Sequence, residues 1–336
     1  MFLKKFVLQL TCLFIVSDLW AVPSELDIIV AQDGTGNFRT VQEAFNAAPD
    51  KSPKRFVIFI KNGVYKEKLV LPASKENVTI VGESLEGVVL TYDDYSKKVV
   101  NGDTLNTPTS YSFVIKANGF IAENITFENS AGRVGQAVAV MISADKAIFR
   151  NCRFLGNQDT LFTQSAGRSY FVDCYIEGTT DFIFGSGIAL FENCHMHSKK
   201  NSFVTAASTP QGNKFGYVFR NCVLTADTGI NKVFLGRPWR PYANVVYLEC
   251  AIGNHIFPAG WDNWRNPANE KTAYYAEYDS KGAGANPEGR VLWSHQLTVE
   301  DVKRYTVENI FAKDAAAIPF ADDWNPVVIM NKSIKK

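Results

Sequence analysis

Asn151-Cys152-Arg153-Phe154-Leu155-Gly156-Asn157-Gln158-Asp159-Thr160-Leu161-Phe162 is followed by Asp173-Cys174-Tyr175-Ile176-Glu177-Gly178-Thr179-Thr180-Asp181-Phe182-Ile183-Phe184. The two stretches share one frame, with an aspartate seven residues after each cysteine. The frame recurs at Asn193-Cys194-His195-Met196, Asn221-Cys222-Val223-Leu224 and Glu249-Cys250-Ala251-Ile252. Without cysteine it appears at Asn77-Val78-Thr79-Ile80 and Asn124-Ile125-Thr126-Phe127. Successive copies are 47, 27, 22, 20, 28 and 28 residues apart, and a period in the twenties means a solenoid. Short runs of β-formers precede each copy (Ala147-Ile148-Phe149, Ser169-Tyr170-Phe171, Tyr217-Val218-Phe219, Val245-Val246-Tyr247), and no long helical pattern interrupts them. The fold expected is all-β, the coils of a parallel β-helix.

Five cysteines in this frame cannot all pair, so a ladder of small buried thiols is favoured over a disulfide framework, with room for one oxidised neighbouring pair. A solenoid needs a cap on its open end. Thr40-Val41-Gln42-Glu43 is a capping box, and Val41, Ala44, Phe45 and Ala48 follow helical spacing up to Pro49. A short amphipathic helix is therefore expected to close the N-terminal end. Gly34-Thr35-Gly36 lacks the third glycine and the βαβ context of a dinucleotide loop and reads as a turn. After Cys250 the repeat fades into a region rich in Gly, Asn, Pro and Trp, read as long loops packed on the coils.

Composition narrows the function classes. The 336 residues are 46% hydrophobic, with 24 Phe, 13 Tyr and 6 Trp, which is far more apolar surface than a disordered chain carries. Thirty-five basic against 34 acidic residues leave no field to attract nucleic acid. Lys4 and Lys5 before the apolar run 6–16, with Ala21 beyond, read as a signal peptide over residues 1–21. Residues 22–336 are expected to be a single β-helix catalytic domain with its core at about 29–297, secreted, monomeric, and without a membrane span.

The repeat also places chemistry. Equal offsets from Cys152 and Cys174 set Asp159 and Asp181 on neighbouring rungs, about 4.8 Å apart. The same offset from Cys194 gives Asn201, so the carboxylate stack is two high. Two like charges this close force one group to hold its proton, which supplies one acid and one base. Position alone leaves a plain structural stack open beside a catalytic pair. Four histidines (His195, His197, His255, His295) have no metal-ligand spacing, and His195 and His197 alternate along one strand as structural residues. No metal or cofactor is expected. The sequons at Asn77 and Asn124 lie in the strand repeat and are read as structural.

Five motifs in order resemble the pectin methylesterase (pectinesterase) family. They are Gly63-Val64-Tyr65-Lys66-Glu67, Gln136-Ala137-Val138-Ala139, Gly156-Asn157-Gln158-Asp159-Thr160-Leu161, Asp181-Phe182-Ile183-Phe184-Gly185 and Leu235-Gly236-Arg237-Pro238-Trp239. The resemblance covers residues 29–297 and implies a right-handed parallel β-helix that hydrolyses methyl esters of galacturonate in pectin (homogalacturonan). It implies Asp181 as nucleophile and Asp159 as general acid/base, with Arg237 orienting the nucleophile. Gln158 and Gln136 would donate to the tetrahedral oxyanion, and Trp239 would line the sugar subsite. Thr107 aligns with a family substrate contact, although Thr107-Pro108-Thr109-Ser110-Tyr111 departs from the usual pattern. The alternatives are another polysaccharide-active β-helix, either a glycosidase with paired carboxylates or a lyase, and a noncatalytic polysaccharide-binding β-helix.

Overall fold

The computed structural model describes residues 26–164 and 167–334, so the expected leader and Cys12 lie outside the described residues. Three parallel sheets of eleven, eight and seven strands run the length of the molecule, and successive coils add one strand to each. This is a parallel β-helix, right-handed as parallel crossovers are. The residue before each cysteine of the repeat explains the frame. Asn151, Asp173, Asn193, Asn221 and Glu249 all have φ between 48° and 56°, as do Asn77 and Asn124 within a few degrees. This left-handed conformation bends the chain from one sheet into the next, and Asn and Asp tolerate it best. The sequons are thus corner residues, and Asn151 Nδ2 donates to Asn124 Oδ1 at 2.7 Å.

Inside the corner, Cys152, Cys174, Cys194, Cys222 and Cys250 are all buried and all free. Each thiol donates to backbone carbonyls, as Cys174 Sγ does to Val172 O at 3.3 Å and Phe149 O at 3.4 Å. Burial pushes the Cys174, Cys194, Cys222 and Cys250 thiols well above their usual range, so they stay neutral. Beside this ladder, in register, Phe149, Phe171, Phe191, Phe219 and Tyr247 stack face to face at 4.5–4.9 Å between ring centres. Offset aromatic stacking and burial together make this column the backbone of the core.

The cap forms as expected. Helix Val41–Ala47 is closed by the reciprocal Thr40–Glu43 capping box and buries Val41, Ala44 and Phe45 over the first coils. Ala48 is already extended, as a residue before proline must be. Gly34-Thr35-Gly36 is a turn, with Gly34 at φ 85°.

Two expectations about the C-terminal third need correction. The repeat does not fade at Cys250: Tyr274–Tyr278 adds another parallel strand beside Asn244–Leu248, and His295–Gln296 adds one more. Asp279 takes the corner at φ 43°, and Ser280 stands where cysteine stood, its Oγ accepting from Cys250 N at 3.2 Å. Replacing Cys by Ser erased the marker. Beyond it, helices Val299–Val302, Val307–Ile310 and Pro326–Ile334 return across the outer face of the eleven-stranded sheet. They bury Ile310, Phe311 and Trp324 against Tyr170, Ile188 and Val218. The fully buried Arg168 pins them: it donates to both Asp145 oxygens and to the Phe311 and Asp322 carbonyls. Pieces this short carry too little periodicity to be seen in sequence.

Candidate active site

The seven-stranded sheet holds Val140–Ile142, Leu161–Thr163, Ile183–Gly185, Phe203–Ala207 and Phe234–Pro238 in consecutive positions. Alternation turns Leu161 and Ile183 into the core and turns Met141, Phe162, Phe184 and Ala206 outward, forming a separate apolar strip. Asp159 and Asp181 sit at the entry to two adjacent strands. Leu161 pairs with Ile183, so the aspartates two residues earlier occupy neighbouring rungs. Both are left-handed, at φ 68° and 51°, a conformation aspartate accepts better than most residues. Asp159 N–H donates to Thr180 O and Asp181 N–H to Phe203 O.

The third rung differs from the expectation. Ile183 pairs with Thr205, so the residue beside Asp181 is Phe203 and not Asn201. The turn after Cys194 is two residues longer than the one after Cys174. Asn201 instead points its Oδ1 at the N–H groups of Asn231 and Lys232. The carboxylate stack is still two high, now ended by an aromatic ring.

Both carboxyls are only 5% exposed, so their charge state is decided by neighbours. Arg237, from the strand beyond Phe203, grips Asp181 with two hydrogen bonds, Nε to Oδ1 at 2.9 Å and Nη2 to Oδ2 at 2.6 Å. Such a fork is the strong form of an ion pair. Burial raises Asp181 above the usual carboxylate range, with Asp262 adding to the rise and Arg237 opposing it. Asp159 is raised well above that range, first by burial and then by the charge of Asp181; Arg237 and a hydrogen bond with Gln136 oppose this only in part. The two environments differ in kind: both carboxyls are raised by burial, but Asp181 is opposed by the two-point contact of Arg237, whereas Asp159 is raised further by the charge of Asp181.

Gln136 and Gln158 pair with each other one rung apart, and both are half-buried. Their register is one residue out of step with Val140–Leu161, a local bulge beside the aspartates. Trp239, half-buried, follows Arg237 by two residues and lies 6.3 and 5.9 Å from the rings of Phe162 and Phe184, which themselves stack at 4.2 Å. The two phenylalanine rings are stacked and Trp239 stands tilted against them, at 62° and 57°, so the three form an apolar patch on the sheet that carries the carboxylates. Thr107 opens a short turn, Thr107–Thr109, before a strand two positions removed from that of Asp159.

Four aromatic residues of the site were not singled out from the sequence: Phe162, Phe184, Phe203 and Trp264. Phe162 and Phe184 follow the aspartates by three residues in both coils, so the repeat frame could have found them. Phe203 and Trp264 had no such signal.

The histidines stand elsewhere. His195 Nε2 and His197 Nδ1 share the Thr225 hydroxyl at 2.6 and 2.8 Å, on the eight-stranded sheet. Among the described residues, no group of three or more His, Cys, Asp or Glu is arranged to hold a metal ion.

The family profile described as Pectinesterase matches residues 27–314. The chain is 40% identical over 287 residues to Pectinesterase 31 of Arabidopsis thaliana, covering 82% of this chain and 89% of that protein. Its fold matches a pectin methylesterase from carrot with a TM-score of 0.79 at 33% identity, over 90% of this chain and 100% of that one. It also matches a pectin methylesterase crystallised in complex with a hexasaccharide, with a TM-score of 0.75 at 30% identity, over 85% and 97% of the two chains.

Proposed function

The chain belongs to the pectinesterase family and is a carboxylic ester hydrolase that removes methyl groups from pectin; we propose that it does so through an aspartyl acyl-enzyme at Asp181. The observation that carries this reading is the two-point grip of Arg237 on Asp181 beside a carboxyl that has no such partner. A buried carboxylate held ionised is a nucleophile, and a buried carboxyl held protonated is an acid.

In this mechanism Asp181 attacks the C6 carbonyl of a methylated galacturonate. Negative charge gathers on the carbonyl oxygen, where the amides of Gln158 and Gln136 donate hydrogen bonds. Amides suit that task because they carry no proton equilibrium of their own. Gln136 faces Asp159 in the free site, so this assignment has it turn to the oxyanion when substrate arrives. Collapse of the intermediate expels methoxide, which takes the Asp159 proton and leaves as methanol. Asp159, now a carboxylate, removes a proton from water, and the hydroxide attacks the acyl-enzyme carbonyl. Collapse of this second intermediate expels the Asp181 carboxylate and frees the galacturonic acid carboxyl, which loses its proton to solvent, with Asp159 again protonated. Arg237 keeps Asp181 aimed and charged throughout, Trp239 covers a sugar ring, and Thr107 contacts the polymer further along the sheet.

We place this reaction outside the cell, carried out by a monomer on a polysaccharide without nucleic acid, membrane, metal or cofactor. No helix among the described residues is long and apolar enough to cross a membrane. The test is one incubation with methylated pectin read for three products. The esterase reading expects methanol with polymer length unchanged. New reducing ends would mean a glycosidase, unsaturated ends a lyase, and no product at all a binding protein.

A further inference from the structure

The hydrogen-bonding fork of Arg237 is one half of its environment; the other half is aromatic. The guanidinium carbon lies 4.0 Å from the ring centre of Phe203 and 3.8 Å from that of Trp264. The side chain is still 21% exposed, so packing does not lock it by burial alone. A long side chain at such a site has several rotamers, of which few present Nε and Nη2 to both oxygens of Asp181.

Both rings are themselves fixed. Phe203 is the residue in register with Asp181, and its carbonyl accepts the Asp181 N–H at 2.8 Å. Its ring stacks on Phe234 at 5.3 Å. Trp264 comes from the loop after Trp261, which docks on the Arg237 strand through Asp262 N–H to Gly236 O. Trp264 and Arg265 both stand in the left-handed region, at φ 60° and 55°. Neither residue favours that conformation, and it persists only where surroundings impose it. Here the Asp262 carboxylate accepts the Trp264 N–H at 2.7 Å, and Asn269 Nδ2 donates to Asn263 O at 3.0 Å. The strained loop delivers one ring, face on, to one cation.

We propose that Trp264 and Phe203 are positioning residues that clamp the Arg237 guanidinium in the orientation that grips Asp181 at two points. The proposal rests on the reading of Asp181 as nucleophile and deepens it: the clamp acts through Arg237 and sets how well that nucleophile is held. A planar cation between two ring faces gains attraction from both and loses the freedom to swing out of the carboxylate plane. The third rung thereby acquires a role, since a side chain without a flat face in place of Phe203 would leave one side of the guanidinium open.

Among the described residues, the titratable groups that interact electrostatically with Asp181 are Asp159 on the neighbouring rung, Arg237 from the strand beyond Phe203, Asp262 from the docked loop, and the buried Tyr275 of the core. Only Arg237 is positive, so a loosened Arg237 leaves Asp181 harder to ionise. The experiment is a mutant cycle on methylated pectin: Trp264→Ala, Trp264→Phe, Phe203→Leu, Arg237→Lys, and the double variant Trp264→Ala with Arg237→Lys. Trp264→Ala is expected to lower kcat about tenfold, to change KM less, and to move the acid limb of the kcat–pH profile upward. Trp264→Phe restores most of the loss, because it keeps a ring face. In the Arg237→Lys background, Trp264→Ala costs nothing further, because an ammonium has no plane to clamp. Should Trp264→Ala fail to fold, Phe203→Leu in the same two backgrounds gives the same readout. A loss confined to KM with the acid limb unmoved, or an equal loss in both backgrounds, would overturn the proposal. Asp181→Asn separates the two ideas: turnover in that variant removes the nucleophile assignment, whereas the cycle tests the clamp alone.

Discussion

Two ladders of like residues run through this molecule, built by the same device and put to opposite use. At the corner between two sheets, five cysteines stack rung on rung, buried and unpaired. At the entry to the seven-stranded sheet, two aspartates stack in the same way and the ladder stops, with Ala137 of the bulged strand on one side and Phe203 on the other. The coil spacing is common to both. Charge is the difference. A buried thiol stays neutral, its proton satisfied by a nearby carbonyl, so any number can be stacked. A second carboxylate next to a first costs free energy unless one member keeps its proton and the other finds a cation. One Arg237 forks onto one aspartate and leaves the other without a cation of its own, and on the proposed reading that inequality turns a repetitive scaffold into a site.

The comparison can be broken at four places. The largest effect is expected from Asp181→Ala, which should cut methanol release by about 10⁴-fold or more, with thermal unfolding nearly unchanged; a variant with turnover left intact ends the nucleophile assignment. Asp159→Asn should lower kcat by about 10²–10⁴-fold yet raise the melting temperature near neutral pH by about 2 °C or more. The sign follows from linkage. Asp159 has a raised folded pKa, so between the unfolded value and that pKa the native state binds more protons, and stability falls as pH rises through this window. Asparagine removes that penalty, so calorimetry should find the gain shrinking as the solution is acidified toward the ordinary carboxylate range. A variant less stable than the parent at every pH would contradict the charge argument.

Arg237→Lys should be milder, about 10²-fold in kcat, with the acid limb of activity moved upward, because a single ammonium replaces the two-point fork. An unmoved limb would show that Asp181 is held ionised by something else. Smallest of all, Cys194→Ser should leave kcat and KM within about twofold and cost about 1 kcal/mol of stability in denaturant unfolding. If it reduced activity as the aspartate changes do, the two ladders would not be separable.

Much of this was legible in the sequence, for a physical reason. Corner residues must adopt positive φ, so Asn and Asp recur before the buried cysteine, and the spacing between copies carries the register. That is how Asp159 and Asp181 could be set side by side without coordinates. The same arithmetic fails where a turn changes length: two additional residues after Cys194 put Phe203, not Asn201, on the third rung. It fails again at Asp279-Ser280, where the corner survives but its cysteine does not. The sandwich of Phe203, Arg237 and Trp264 draws on separate coils and a strained loop with no shared period. Only the folded chain brings those three together.

The most direct measurement of the central claim is the titration of the two carboxyl groups themselves, followed by ¹³C NMR of protein labelled at aspartate and assigned with the Asp159→Asn and Asp181→Asn variants. The account requires that near neutral pH Asp159 still carries its proton while Asp181 is ionised, and that Asp159 gives up its proton more readily once Asp181 is neutralised to asparagine. Two carboxylates both charged at that pH, or the proton residing on Asp181, would contradict it.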